Sequence, residues 1–472
     1  MKEKFRISIT SYIHFLVDFT CAYWILHLLM RPYGSYYGGY TVHVVGSMGE
    51  TLVDGRMGWT LVYNFCAFAL QLPVGWLVDR FMRKKPWWIS SLGCLILAII
   101  GALIFGDGLI NGEDSLYYSD LQGVCYAILL GIGNALFHVG AGVEILGLSV
   151  QGGRKTFRHR KGIIAAIDHA GYRMAPVGIF VSTGALGVFL GQIISWHLES
   201  VSLVISDYFQ VWAVYSILVI VLMLAAAGLN LVLTKPVKQY QGKEQDVLLT
   251  DCSVTMAGEI SERDVTDKRE QLSERGGTDN SVAWDPRWNT GIILLLFLVV
   301  VLRSFQGGIM DFPWYSWWSF TSFVFAVCIM LGKALGGILA DRIGVLWTVI
   351  VPLVCSAILL RFASDYMIPG LIAVLLFQTT MPITLSLMHR QTPGHPGMAF
   401  GLLSFGLFLG TLPKTVYSLW DEKQGMTVKR YRVLYFLQDH LDNICSMVAL
   451  VSVLLLLIAL FIWWRAGKGK ND

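Results

Sequence analysis

The chain has 472 residues, of which 55% are hydrophobic and 14% charged, with a formal net charge of +4 and a mean hydropathy of +0.59. That is too apolar for a soluble enzyme of this size, and the charge is too small and too scattered for a nucleic-acid binder. The composition is that of an integral membrane protein, and its 16 Trp and 19 Tyr suit the aromatic belts of membrane interfaces.

A spanning helix needs roughly 20 apolar residues to cross about 30 Å of hydrocarbon. By that measure twelve spans are predicted, near residues 8–30, 57–78, 87–106, 121–149, 163–192, 209–233, 290–309, 318–340, 345–363, 368–388, 397–419 and 441–464. The apolar runs are continuous, which excludes the alternation of a β-barrel. The first run continues to Met30 with no small-residue cleavage site, so it reads as a retained helix and not as a signal peptide. Seven of the eight cysteines lie in or beside the spans and none forms a CxxC pair, so they read as small buried hydrophobes.

Taken in chain order, the spans carry polar residues that a lipid-facing helix would not. Each is a functional hypothesis, because an ionisable group at bilayer depth is expensive without a cavity or a partner. Span one places His14 and Asp18 four apart, on one helical face. Span two closes on "GWLVDRFMRKK", with Gly75, Asp79 and Arg80. Span four, "LLGIGNALFHVGAGVEILGLS", repeats the four-residue spacing with Asn134 and His138, and carries Glu144 nearer its end. Span five begins among Asp168, His169 and Arg173. Span seven has Arg303 about a dozen residues in, and span ten has Gln378, Thr379 and Thr380 midway. Span eight ends on "LGKALGGILADRI", in which Gly337, Asp341 and Arg342 repeat Gly75, Asp79 and Arg80 at a constant offset. Lys333 takes the repeat position of Gln71, which assigns it to the gate at that end.

Each residue also has a plainer use. Asn134, His138 and His14 can serve as interhelical hydrogen-bonding groups. Asp18 and Arg303 can form a structural ion pair, and the Gln378 group can satisfy a helix loosened by Pro382. Glu144, Asp168, His169 and Arg173 can form a solvated interfacial face.

Residues 234–289 are polar, of mixed charge and poor in aliphatics, so they read as a cytoplasmic linker between a six-span half at 1–233 and a second at 290–472. Lys and Arg crowd "DRFMRKKPW", "GGRKTFRHRKG" and the C-terminal "RAGKGK", and are missing from the loops 107–120 and 197–208. The positive-inside rule then puts both termini in the cytoplasm. The loop "DEKQGMTVKRYRVLYFLQDH", placed outside, carries four basic residues against that rule.

Twelve spans, a linker after the sixth and the G-x-L-x-D-R-x-x-R-K loop after the second resemble the major facilitator superfamily over the whole chain. The resemblance implies an all-α polytopic membrane protein of two pseudo-symmetric six-helix bundles, with spans one, four, seven and ten lining a central cavity. It also implies a cytoplasmic gate built from Gly75, Asp79 and Arg80 with Gly337, Asp341 and Arg342, and joined by Glu144 and Arg173. "HFLVDF", "GNALFHVGAG", "RSF" and "PGHPGMAFG" resemble the fosmidomycin-resistance type of exporter within that superfamily. Two features depart from that type: Val139, Ala141 and Gly142 replace its usual residues in span four, and span five offers Ala175-Pro176 in place of Gly-Pro.

The expected activity is proton-coupled movement of a small organic solute by alternating access, outward by solute/proton antiport. Uptake of a small anionic metabolite by symport, or a transport-inactive receptor on the same fold, are the alternatives. A proton on Asp18, His14 or His138 changes the charge of the cavity, and imidazole titrates near neutrality unaided. Arg303 keeps its proton and serves either an anionic solute or Asp18, while Asn134, Gln378 and Thr379 complete the binding surface. No enzyme is expected: His14, His138 and Asp18 lack metal-ligand or nucleophile motifs and the linker has no P-loop. Neither cofactor nor metal is called for. The partners are solute, protons and lipid, and the expected state is a monomer in a cell membrane, that of a bacterium.

Overall fold

The computed structural model describes residues 2–30, 57–82, 85–111, 120–152, 173–201, 208–233, 286–310, 312–314, 319–423 and 440–468. Among these there is no strand, and twelve helical stretches are long and apolar enough to cross a membrane. The chain is a multi-pass, all-helical membrane protein. The linker between 234 and 285, the basic loop between 153 and 161, the outer loop between 424 and 439, and Asp168 and His169 lie outside the described residues.

Exposed apolar side chains such as Leu103, Val214, Leu294 and Ile358 clothe the outside, while Trp24, Trp212, Phe137, Phe180 and Phe377 are fully buried between helices. This surface suits lipid, in which backbone groups must be satisfied within each helix. Among the first six spans, one packs on four and five, two on four, and three on four and six. The same pairings recur when every span number is raised by six, so span seven packs on ten and eleven, eight on ten, and nine on ten and twelve. The two sets meet where span five packs on span eight and span two on span eleven. Those two contacts carry the predicted gate.

Span two is not a uniform α-helix. It runs as Met57–Asn64, a π turn at Phe65–Ala69, Gln71–Leu77, and a second π turn at Val78–Met82. Pro73 supplies a reason for the first: it has no N–H to return to the carbonyl one turn earlier, and the backbone opens to a wide turn there. The Leu70 N–H donates instead to the Phe65 carbonyl at 3.2 Å. Span ten is also broken, at Thr379 between Met367–Gln378 and Thr380–Gln391, close to Pro382.

Span five departs from its predicted bounds. Hydropathy carried it back to 163, but the described helix is Ala175–Val201, and Arg173 and Met174 precede it in non-helical geometry. Pro176 suits a first turn, where a missing N–H costs nothing. The free N–H groups of Met174 and Ala175 donate to the Asp341 carboxylate at 2.7 and 3.0 Å.

Candidate functional site

The gate forms first, from the sequence repeat. Asp79, on the second π turn of span two, accepts hydrogen bonds from the N–H groups of Gly397 and Met398 at 2.8 Å each, at the start of span eleven. Asp341, at the end of span eight, does the same for the start of span five. Each carboxylate thus satisfies two orphan donors at a helix N-terminus in the opposite half, where the helix dipole also favours negative charge. Gly75 and Gly397 allow the approach, because a Cβ on either would overlap the other's backbone carbonyl. Gly337 similarly lies against the Met174 backbone.

The other predicted gate residues stand around these contacts. Arg173 donates to Glu3 at 3.3 Å and lies near enough to Asp341 to act on its charge. Glu144 is buried and pairs with Arg6 of span one, so that bond stays within the first half. Arg80 and Arg342 are exposed.

Deeper in the bundle, span one brings His14 and Asp18 against His138 of span four. Nine residues separate the start of span five from Gly184, which touches this group, or about 14 Å at 1.5 Å per residue. That depth is near the middle of a hydrocarbon layer about 30 Å thick. The His14 Nδ1 lies 2.7 Å from the Phe180 carbonyl and the His138 Nδ1 lies 2.9 Å from the Asn134 carbonyl. A carbonyl only accepts, so both Nδ1 atoms carry hydrogen and both Nε2 atoms are left to face inward. The two Nε2 atoms are 2.9 Å apart, and they lie 3.2 Å (His14) and 3.4 Å (His138) from the Asp18 oxygens.

This geometry has a chemical consequence. With both imidazoles neutral and Asp18 ionised, the centre of the triangle would hold only acceptors, lone pair against lone pair. A proton shared among an Nε2, its partner Nε2 and the carboxylate, or a cation held between them, would relieve that contact. The ring of His14 is held in place, stacked on Phe180 at 4.4 Å and edge-on to His138 at 4.7 Å. The three ligand atoms lie within 4.8 Å of one another, a spacing that a small metal ion could bridge and that the sequence spacing did not reveal. Lys333 acts on Asp18 from span eight and opposes a divalent cation there, whereas a proton meets the same need.

Asn134 is buried and donates from Nδ2 to the Tyr63 hydroxyl at 2.8 Å, joining spans four and two behind the triangle. Phe400 of span eleven stands 6.5 Å from the His138 ring and 6.4 Å from Phe180, so a residue of the second half borders the triangle.

The second half presents the opposite charge. Arg303 is 6% exposed, its Nη2 lies against the Met381 sulfur, and its Nη1 has no hydrogen-bond acceptor. It does not pair with Asp18, whose oxygens face the histidines. Gln306, three residues on, is fully buried with both amide atoms unpartnered. Lys333 feels the charges of both Arg303 and Asp18. Gln378 is half-buried on span ten, while Thr379 donates its hydroxyl to the Leu376 carbonyl of its own helix.

The sequence did not single out Tyr63, Gly184, Gln306, Phe400 or the Phe180 carbonyl. Gln306 had a signal, a second polar residue one turn from Arg303. The others had none, because they act through a backbone carbonyl, the absence of a side chain, or residue types common along the spans.

No protein-family profile and no curated protein matches the sequence. Among the solved structures that match it are two that do so over 100% of both chains. One is the E. coli fucose:proton symporter FucP, as a single-residue variant, with a TM-score of 0.54 and 12% identity. The other is FucP, described as a Major Facilitator Superfamily transporter in the outward conformation, with a TM-score of 0.53 and 12% identity. The chain therefore has the major facilitator fold.

Proposed function

We propose that the chain is a proton-coupled secondary active transporter that moves a small organic solute by alternating access between two six-span units, 1–233 and 290–472, joined by a linker at 234–289. The observation that carries this reading is the His14–Asp18–His138 triangle, whose facing lone pairs a shared proton would relieve and which borders Phe400 of the opposite half. A proton lost from it changes the charge felt by Lys333, and through Lys333 by Arg303. The paired carboxylate clasps at Asp79 and Asp341 support the conformational half of the cycle, since each joins one half to the other by contacts that can open. They also weigh against an inactive receptor, which has no use for two such gates.

The resemblance to the fosmidomycin-resistance type favours export by solute/proton antiport from a bacterial cell membrane, as a monomer with both termini in the cytoplasm. Uptake by symport is the second reading. Lys333 favours it, because a negative solute drawn to that side chain would favour a proton on the nearby triangle and the two would travel together. The test is reconstitution into liposomes with an imposed pH gradient, a screen of solutes, and reversal of the gradient. Solute flux should follow the gradient, with its sign distinguishing antiport from symport. Proton coupling fails if Asp18→Asn and His138→Ala both leave flux untouched.

A further inference from the structure

Arg303 stands buried inside the second half with no carboxylate among the described residues paired to it, and Lys333 of span eight, half-buried, lies within the field of both Arg303 and Asp18. Arg303 is 6% exposed, its Nη1 has no acceptor, and no carboxylate among the described residues forms an ion pair with it. Its Nη2 meets the Met381 thioether, a weak acceptor that leaves a guanidinium unsatisfied. Lys333 feels Asp18, but Asp18 already faces two imidazoles, and Lys333 also feels the like charge of Arg303. Burying one unpaired cation at membrane depth is costly, and a second cation whose charge reaches it adds repulsion. Gln306 adds a fully buried amide, three residues from Arg303 and so on nearly the same helical face, with donor and acceptor both unused. Such a set is unfavourable by itself and becomes favourable when a negative group arrives.

We infer that the transported solute carries an oxyanion, a carboxylate or a phosphate-type group, received by Arg303 and Lys333 together. This deepens the transport reading and rests on it. The guanidinium is a planar fork that meets two oxygens at once, whereas the ammonium is a compact point charge on a flexible stem. Arg303 therefore sets the orientation of the anion, and Lys333 adds the second charge from span eight. A neutral solute would leave Arg303 uncompensated. The inference moves Lys333 from the gate, where its repeat position had put it, to the binding site.

The experiment uses the full chain purified in detergent. First, thermal unfolding is followed without added solute. Arg303→Met should raise the midpoint, because it replaces an unpaired buried cation with an apolar group of similar length; a lowered midpoint would make Arg303 a structural group and overturn the inference. Second, the wild type is titrated with acetate, succinate, glutarate, glycerol 3-phosphate and inorganic phosphate, and in parallel with the neutral counterparts acetamide, succinamide and glycerol. At least one anion should raise the midpoint and no neutral counterpart should match it. Arg303→Lys should weaken that anion roughly tenfold and Arg303→Met or Lys333→Met roughly ten- to hundredfold, the range for losing a charged hydrogen bond. Stabilisation by a neutral solute that persists in Arg303→Met overturns the inference, as does a panel in which no anion binds. Proton uptake driven by a neutral solute would sink the inference while sparing the transport reading. Anion binding at Arg303 without proton uptake would spare the inference and sink the coupling.

Discussion

The two halves of the molecule meet the problem of buried charge in different ways. Among the described residues of the first half, Asp18 has two imidazoles, each imidazole has a backbone carbonyl behind it, and Asn134 donates to Tyr63 while its Oδ1 has no partner. In the second half Arg303 ends on a thioether and an unfilled Nη1, and Gln306 has no partner for either amide atom. The gates, by contrast, are matched, because Asp79 and Asp341 each hold two backbone N–H groups of the opposite half at 2.7–3.0 Å. The repeat preserves these helix-end contacts while the polar residues deeper in the two halves diverge. On the proposed mechanism, the first wall holds the proton and the second, with its unpartnered cation, receives the solute.

The largest expected effect comes from breaking the first wall. Asp18→Asn and His138→Gln should each reduce solute-driven proton uptake in liposomes to the leak of protein-free vesicles. Glutamine keeps an N–H to place in the triangle but has no proton to exchange, so solute counterflow, which needs no net proton movement, should survive. Uptake that persists in both variants would remove the triangle from the mechanism and leave the two walls without their contrast.

Gly184 sharpens the same contrast by geometry. A Cβ there would overlap Asp18 Oδ2 and crowd the Nε2 of His14. Overpacking of this kind costs about 1–3 kcal/mol. Gly184→Ala should therefore slow coupled transport by roughly tenfold, with proton uptake in liposomes as the measure. Anion binding at Arg303, in the other wall, should stay within about twofold by the detergent titration. Equal losses on both sides would mean that the two walls do not function separately.

How far these contrasts could be read from the sequence follows the range of the interactions involved. Hydropathy found twelve spans because lipid imposes a length and a composition on each segment alone. The pairs His14–Asp18 and Asn134–His138 were legible because four residues make one helical face, and the gate because its motif recurs. What the sequence could not decide was whether Asp18 faces Arg303, since that depends on distances between helices far apart in the chain. The start of span five was misjudged for a related reason. Apolar residues continue upstream of it, but its N-terminus is organised by Pro176 and by a carboxylate from span eight. Lys333 and its repeat counterpart differ in surroundings: Gln71 donates to the Ala67 carbonyl of its own span, while Lys333 feels Asp18 and Arg303. Repetition carries packing, and the chemistry of a site is free to differ.

The gates give a test in which equality is the expectation. Asp79→Asn and Asp341→Asn each exchange a charged acceptor of two hydrogen bonds for a neutral amide with one accepting oxygen. The loss is about 1–1.5 kcal/mol on either side, so the closed gate should be populated roughly five- to tenfold less in both variants. Spin-label distances between the halves, read by pulsed electron resonance at the gate end, would report it. If one variant opens the gate and the other does not, the two clasps differ as the walls do, and the repeat no longer explains them.

Arg173 is the smallest and the most discriminating case, because it combines a contact within its own half with an influence across the gate. Its bond to Glu3 is 3.3 Å long and both side chains are about a third exposed. Exposed pairs of this kind contribute about 0–1 kcal/mol, so Arg173→Ala should shift the unfolding midpoint by no more than a degree or two on the scale of a large domain. Its charge beside Asp341 gives it a second expected effect, a modest opening of the gate that is absent from Glu3→Gln, which keeps the arginine and removes only the bond. If the two variants behave alike, Arg173 acts through Glu3 alone and the gate consists of its two carboxylates and the helix ends they hold.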